Sequence, residues 1–241
     1  MENPWLALPE TSPFVLPQDR AQIEAYNAKL PEASPRRILI DELLPEPFIG
    51  SVATAPVIVL QLNPGFDESN FDSHAATAFR AALDANRRHA QTEWPFYFFD
   101  PRFREHPGGE WWRGKTKELD DLVGFGRLTQ NLAVVEWFPY RSRRFGGNCH
   151  VESQNYGFSL VESAIARGAL IILSRSVRLW EKSVPALQGY ERKLTLSSVQ
   201  NVALSRNNLK YNGEKCDKAW DMLKEALASR AADLGATHSN T

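Results

Sequence analysis

Asn63 ends the run Val57-Ile58-Val59-Leu60-Gln61-Leu62 and is followed by Pro64-Gly65-Phe66. An asparagine cannot take a proton as a carboxylate does; its carbonyl can only orient a water molecule. Glu136, in Glu136-Trp137-Phe138-Pro139-Tyr140, stands at the close of a second apolar run. Ionised, it accepts hydrogen bonds and favours a partner that presents donors. Buried, it can be tuned into a general acid or base. The alternative is an ion pair with Arg141 or Arg175 that only holds the loop in shape. Arg206, Asn207 and Asn208 supply donors suited to a group that gains negative charge. Arg141, Arg143 and Arg144, and then Arg175 and Arg178, are spaced to hold phosphates through bidentate contacts. Arg102, Arg104, Arg113, Lys115 and Lys117 lie beside Trp111 and Trp112, a mixture that suits single-stranded nucleic acid unless the tryptophans are core.

These groups need elements to carry them. The apolar run Pro56–Leu62 reads as a parallel strand covered on both faces. Further strands are expected at Leu132–Phe138, Ala169–Leu173 and Val199–Leu204. Helices are expected near Gln18–Leu30, from Asp72 or Ser73 to Arg88, over Gly109–Val123 and Ser153–Arg167, after Ser176, and from Glu214 to Ala228. Strands alternating with helices predict a parallel sheet with helices on both faces, and right-handed crossovers place the strand ends on one edge. Ligands in such sheets bind just beyond those carboxyl ends. Asn63, Glu136, Arg175 and the Ser205–Asn208 loop should therefore meet. Residues 1–55 are a proline-rich wrap, and 232–241 read as a disordered tail. One domain spans the 241 residues.

Asn63-Pro64-Gly65 after a Val/Ile/Leu strand resembles the first motif of the uracil-DNA glycosylase superfamily. Its mismatch-specific branch carries Asn-Pro-Gly where the main branch carries Asp-Pro-Tyr. The lead-in Pro45-Glu46-Pro47-Phe48-Ile49-Gly50 is also similar, and the order of elements agrees over residues 40–230. The resemblance implies a three-layer α/β/α sandwich with a four-stranded parallel sheet. It places Asn63 where the attacking water is oriented and Gly65 where a tyrosine blocks thymine in the main branch. Glu136 falls where many members have a base-reading asparagine. Ser205–Asn208 falls where the family has a loop with histidine and proline. Two departures stand out: glutamate for asparagine, and a final loop with neither histidine nor proline.

The chemistry implied is cleavage of an N-glycosidic bond by an Asn63-oriented water. Glu136 is the second catalytic candidate. Gly65, Phe66, Asn207 and Asn208 form the base pocket, and Arg141, Arg143, Arg175 and Arg206 hold phosphate. Phe66 can stack on a base or pack beneath the turn. A non-catalytic binder of nucleotide, nucleic acid or protein on the same fold is the alternative, and a nucleoside-directed enzyme using Glu136 as base is a third. The net charge of -1 and pI near 6.5 exert no global pull on nucleic acid. Cys149 and Cys216 cannot supply the four ligands of an iron–sulfur cluster, and the histidines lack metal spacing. No Walker loop, nucleophile elbow or dinucleotide fingerprint occurs. The expectation is a cytoplasmic monomer with DNA or a nucleotide as partner and no cofactor, metal or membrane span.

Overall fold

Val57–Gln61 is uniformly buried, as a strand covered on both faces must be. The computed structural model describes residues 1–147, 149–198 and 200–236. In chain order the elements are α1 (Pro17–Ala28), β1 (Phe48–Ile49), β2 (Val57–Gln61), α2 (Asn70–Ala75), α3 (Thr77–Arg87), α4 (Pro107–Lys115), α5 (Lys117–Val123) and α6 (Phe125–Asn131). There follow β3 (Leu132–Glu136), α7 (Gln154–Ala166), β4 (Leu170–Leu173), α8 (Val177–Ser183), β5 (Lys193–Leu196), β6 (Leu209–Tyr211) and α9 (Asp217–Ala236).

Among the described residues the strands form one six-stranded sheet in the order β1-β3-β2-β4-β5-β6. The inner four are parallel, and β1 and β6 run antiparallel at the two edges. The mixed α/β class agrees with the sequence pattern, but the sheet is two strands wider than expected. Alternate residues of each strand enter opposite cores. Val57, Val59, Leu132 and Val134 join Phe79, Phe98, Trp112, Leu128 and Leu223 on one face. Ile58, Leu60, Ala133 and Val135 join Ile23, Val161 and Trp180 on the other. Beside β2, the chain goes first to β3 on one flank and then crosses to β4 on the other. That reversal opens a crevice at the carboxyl ends of the strands.

Several expected boundaries differ. The helix expected up to Arg88 is broken at Ala76, whose extended backbone (φ -70°, ψ 124°) separates α2 from α3. The helix expected over Gly109–Val123 is broken at buried Thr116, whose hydroxyl donates to the Trp112 carbonyl at 2.8 Å. Gly124 (φ 75°) ends α5 as expected, but α6 begins at once. The fourth parallel strand is Lys193–Leu196, not Val199–Leu204. Val199 lies outside the described residues, and Val202 and Leu204 are buried within a loop. The expected disordered tail is helical through Ala236, in α9; positions 237–241 lie outside the described residues.

Candidate functional site

The turn after β2 and the last residue of β3 share one cavity of about 310 Å³. Its walls include Gln61, Asn63, Gly65, Phe66, Glu136 and Arg175, with Phe98, His106, Trp111 and Trp112 opposite. The strands place the polar groups. Gln61 ends β2 and Glu136 ends β3, and the two are register partners. The aromatic wall comes from the segment between α3 and α4 and from α4 itself. There Gly108 and Gly109 lie so close to Phe98 and Phe103 that a Cβ would stand 2.4 Å from the Phe98 ring and 2.0 Å from the Phe103 carbonyl oxygen. The glycine pair thus sets Trp111 and Trp112 against the sheet end.

Asn63 donates its Nδ2 to the Pro64 carbonyl at 3.1 Å. The same bond turns its Oδ1, which has no protein partner, into an acceptor for a small ligand or water. Glu136 is buried, with Oε2 unpartnered. Burial, reinforced by the negative charge of Glu46, raises its pKa well above the ordinary carboxyl value; Arg141 and Arg175 oppose this. The group is held toward its neutral acid, which offers both a donor and an acceptor.

Of the two ion pairs that are the alternative for Glu136, with Arg141 or with Arg175, neither forms among the described residues. Arg141 is instead buried against Glu46, Nη2 to Oε2 at 2.9 Å, and its Nη1 donates to the Gly65 carbonyl. It braces the Asn63 turn where the sequence pattern expected a phosphate contact, and it lines the cavity with Nε buried and unpartnered. Arg143 lies over the Phe66 ring, 4.5 Å from its centroid, and pairs with Glu68. Arg175 lines the cavity, with Nε buried and unpartnered.

The final loop departs from expectation. Arg206 is exposed and pairs with Asp217 at 2.6 Å. Asn207 is exposed, and neither it nor Asn208 lines the cavity. Asn208 donates to the carbonyls of Asn201 and Ala203 at 2.7 and 2.9 Å and accepts from the Ser198 N–H at 3.2 Å. Those bonds shape the loop itself. The tryptophan pair is split: Trp112 is core, while Trp111 is 38% exposed at the rim with Lys115 over its ring.

No protein-family model, curated protein or solved structure matches the chain. The chemistry must therefore be read from the cavity. Among the described residues no group of His, Cys, Asp and Glu is arranged to hold a metal, and no helix is long and apolar enough to cross a membrane. A wider hollow of about 770 Å³ lies by the amino end of β3, beside Gly50, Asn86 and Asn131. Its lining includes His89 but no carboxylate.

Sequence reasoning missed Gln61, Glu46, Asn70 and His106 at this site. Gln61 carried a signal: a polar residue at the end of a wholly apolar strand. His106 accepts from the Gly108 N–H through Nδ1 at 2.9 Å and stacks on Phe79 at 4.3 Å. Burial, with Arg141 nearby, pulls its pKa down to about 4, so it lines the cavity as a neutral ring.

Proposed function

We propose that this cavity receives a nucleobase and that the chain hydrolyses the N-glycosidic bond of a nucleoside unit in nucleic acid. The resemblance to the uracil-DNA glycosylase superfamily points the same way. The observation that carries the reading is that Asn63 Oδ1 and the neutral-leaning carboxyl of Glu136 share one aromatic-walled cavity at the strand ends.

A base entering between Phe66 and the Trp111–Trp112 wall would stack on aromatic faces. Asn63 Oδ1 would accept a hydrogen bond from a water and aim its oxygen at the anomeric carbon. The carbon–nitrogen bond breaks and its electron pair leaves with the base. The water oxygen bonds to the sugar carbon, and the water's proton ends on the departing base or in solvent, because Asn63 cannot hold it. Glu136 as an acid would donate a hydrogen bond to the base as negative charge develops there, and Arg175 adds positive charge at the rim. A neutral carboxyl offers a donor and an acceptor as an amide does. This removes the apparent conflict of a glutamate at a base-reading position.

The test is release of free base from oligonucleotides carrying uracil, deaminated purines or mismatches. Release is expected with the folded wild-type chain and its loss with Asn63→Ala; no release from any of these substrates refutes the reading. A second reading, binding without catalysis, is favoured by one observation: the Ser205–Asn208 loop, which the resemblance sets against the leaving base, stands away from the cavity. Salt-sensitive binding of the same oligonucleotides without base release would select it.

A further inference from the structure

We propose that Gln61 and Glu136 form a two-pronged reader that selects heterocycles bearing an exocyclic oxygen or nitrogen on both carbons flanking a ring nitrogen. The inference rests on the base-binding reading of the cavity and adds the class of base.

The argument begins with register. Gln61 pairs with Glu136 at the last rung between β2 and β3. Register partners on neighbouring strands point to the same face, with the strands about 4.8 Å apart. Glutamine and glutamate have side chains of equal length, so the two head groups have equal reach from the sheet edge. Gln61 follows the parity of Val57 and Val59, and Glu136 that of Leu132 and Val134, so both face the side that carries the aromatic wall.

Both residues are more than nine-tenths buried, at 5% and 7% exposure, and both line the cavity. Gln61 Nε2 and Glu136 Oε2 have no hydrogen-bond partner, and the pair do not bond to each other. Of the other polar neighbours, Glu46 is engaged by Arg141, Asp67 by the Ser69 N–H and hydroxyl, and Asn70 by the Asp67 N–H, while the Nε atoms of Arg141 and Arg175 and Nε2 of His106 are donors left unpartnered in the same lining. Gln61 and Glu136 differ from those donors in being adjacent on one rung, so a single planar ligand can satisfy both at once.

The strand spacing matches the separation of two exocyclic groups on either side of a ring nitrogen. Each prong offers a donor and an acceptor, the amide always and the carboxyl in its acid form, so each can meet a carbonyl or an amino group. Uracil, cytosine, guanine and xanthine present such an edge. Adenine and hypoxanthine present one exocyclic group and would leave one prong unpaired. A site built to bond a polar group rejects the analogue that lacks it far more strongly than it senses a missing methylene.

Trp111 and Trp112 line the cavity, so tryptophan fluorescence of the full chain reports occupancy. Guanosine and inosine differ only by the 2-amino group, and cytidine differs from pyrimidin-2-one riboside only by the 4-amino group. The wild-type chain should bind the first of each pair at least about tenfold more tightly. Gln61→Leu, confirmed as folded by circular dichroism, should bring at least one of these ratios close to one. Equal binding within both pairs by wild type overturns the inference and leaves the base-binding reading standing, as does a Gln61→Leu chain that keeps both ratios. No binding of any nucleoside overturns the inference and the base-binding reading together. The wild-type comparison needs no variant, so misfolding of Gln61→Leu cannot hide the answer.

Discussion

Replacing Arg141 by methionine tests the brace behind the Asn63 turn. Arg141 and Glu46 are each 4% exposed at the side chain and 2.9 Å apart. Removing one partner of a buried pair leaves an uncompensated charge and costs about 3–5 kcal/mol. Here the stranded charge is Glu46, which lies close enough to Glu136 to raise its pKa. A domain of this kind has about 5–15 kcal/mol of total stability, so the loss is a large share of it. For a chain of this size each kcal/mol moves Tm by about 2–4 °C, so Arg141→Met should lower Tm by about 6–20 °C. Urea titration and calorimetry measure both quantities. Glu46→Met in the same chain removes the stranded charge and should recover at least about half of the loss, because apolar replacement of a buried pair is often neutral. A loss below about 1 kcal/mol in the single variant, or a double variant as unstable as the single, refutes the assignment of Arg141 as a buried brace.

Three further outcomes follow from the same geometry. Glu136 has its folded pKa raised above the ordinary 4.5, so stability is fully present below pH 4.5 and falls as pH rises through the folded value; Glu136→Gln should flatten that fall in urea midpoints taken across pH, and an identical slope refutes it. His74 and His106 have folded pKa values pulled from 6.5 down to about 2 and about 4, chiefly by burial, so their contribution is fully present above pH 6.5 and is lost as pH falls toward those values. His106→Gln should make stability less acid-sensitive between pH 6.5 and 4, and an unchanged slope would remove His106 from the account. Gly109→Ala places a Cβ 2.0 Å from the Phe103 carbonyl and should cost about 1–3 kcal/mol or more, whereas Gly114→Ala, with open space, should gain about 1 kcal/mol; thermal melts compare them, and equal effects refute the packing role of Gly109.

The parallel core was legible because its strands are apolar throughout: Val57–Leu60, Leu132–Val135 and Leu170–Leu173 have no other reading at that length. β5 was not legible. Lys193-Leu194-Thr195-Leu196 alternates between half-buried and buried positions, as a strand beside an edge does, while nearby Val202 and Leu204 mimic a strand but pack as loop. Asn63, Gly65, Phe66, Glu136 and Arg175 do meet at one cavity, because strand ends converge whatever the loops between them do. The partner of Arg141 could not be read. Glu46 is 95 residues away, and only the antiparallel pairing of β1 with β3 brings its segment to the site. Asn207 and Asn208 were placed by the false fourth strand and moved away with it.

β1 pairs over two residues and β6 over three, and both run against the central strands. A foreign strand approaching either flank would find too few backbone donors and acceptors to zip onto. Such short edges blunt the sheet against templated growth and recognition by strand addition, so a partner meets it more readily through side chains and shape.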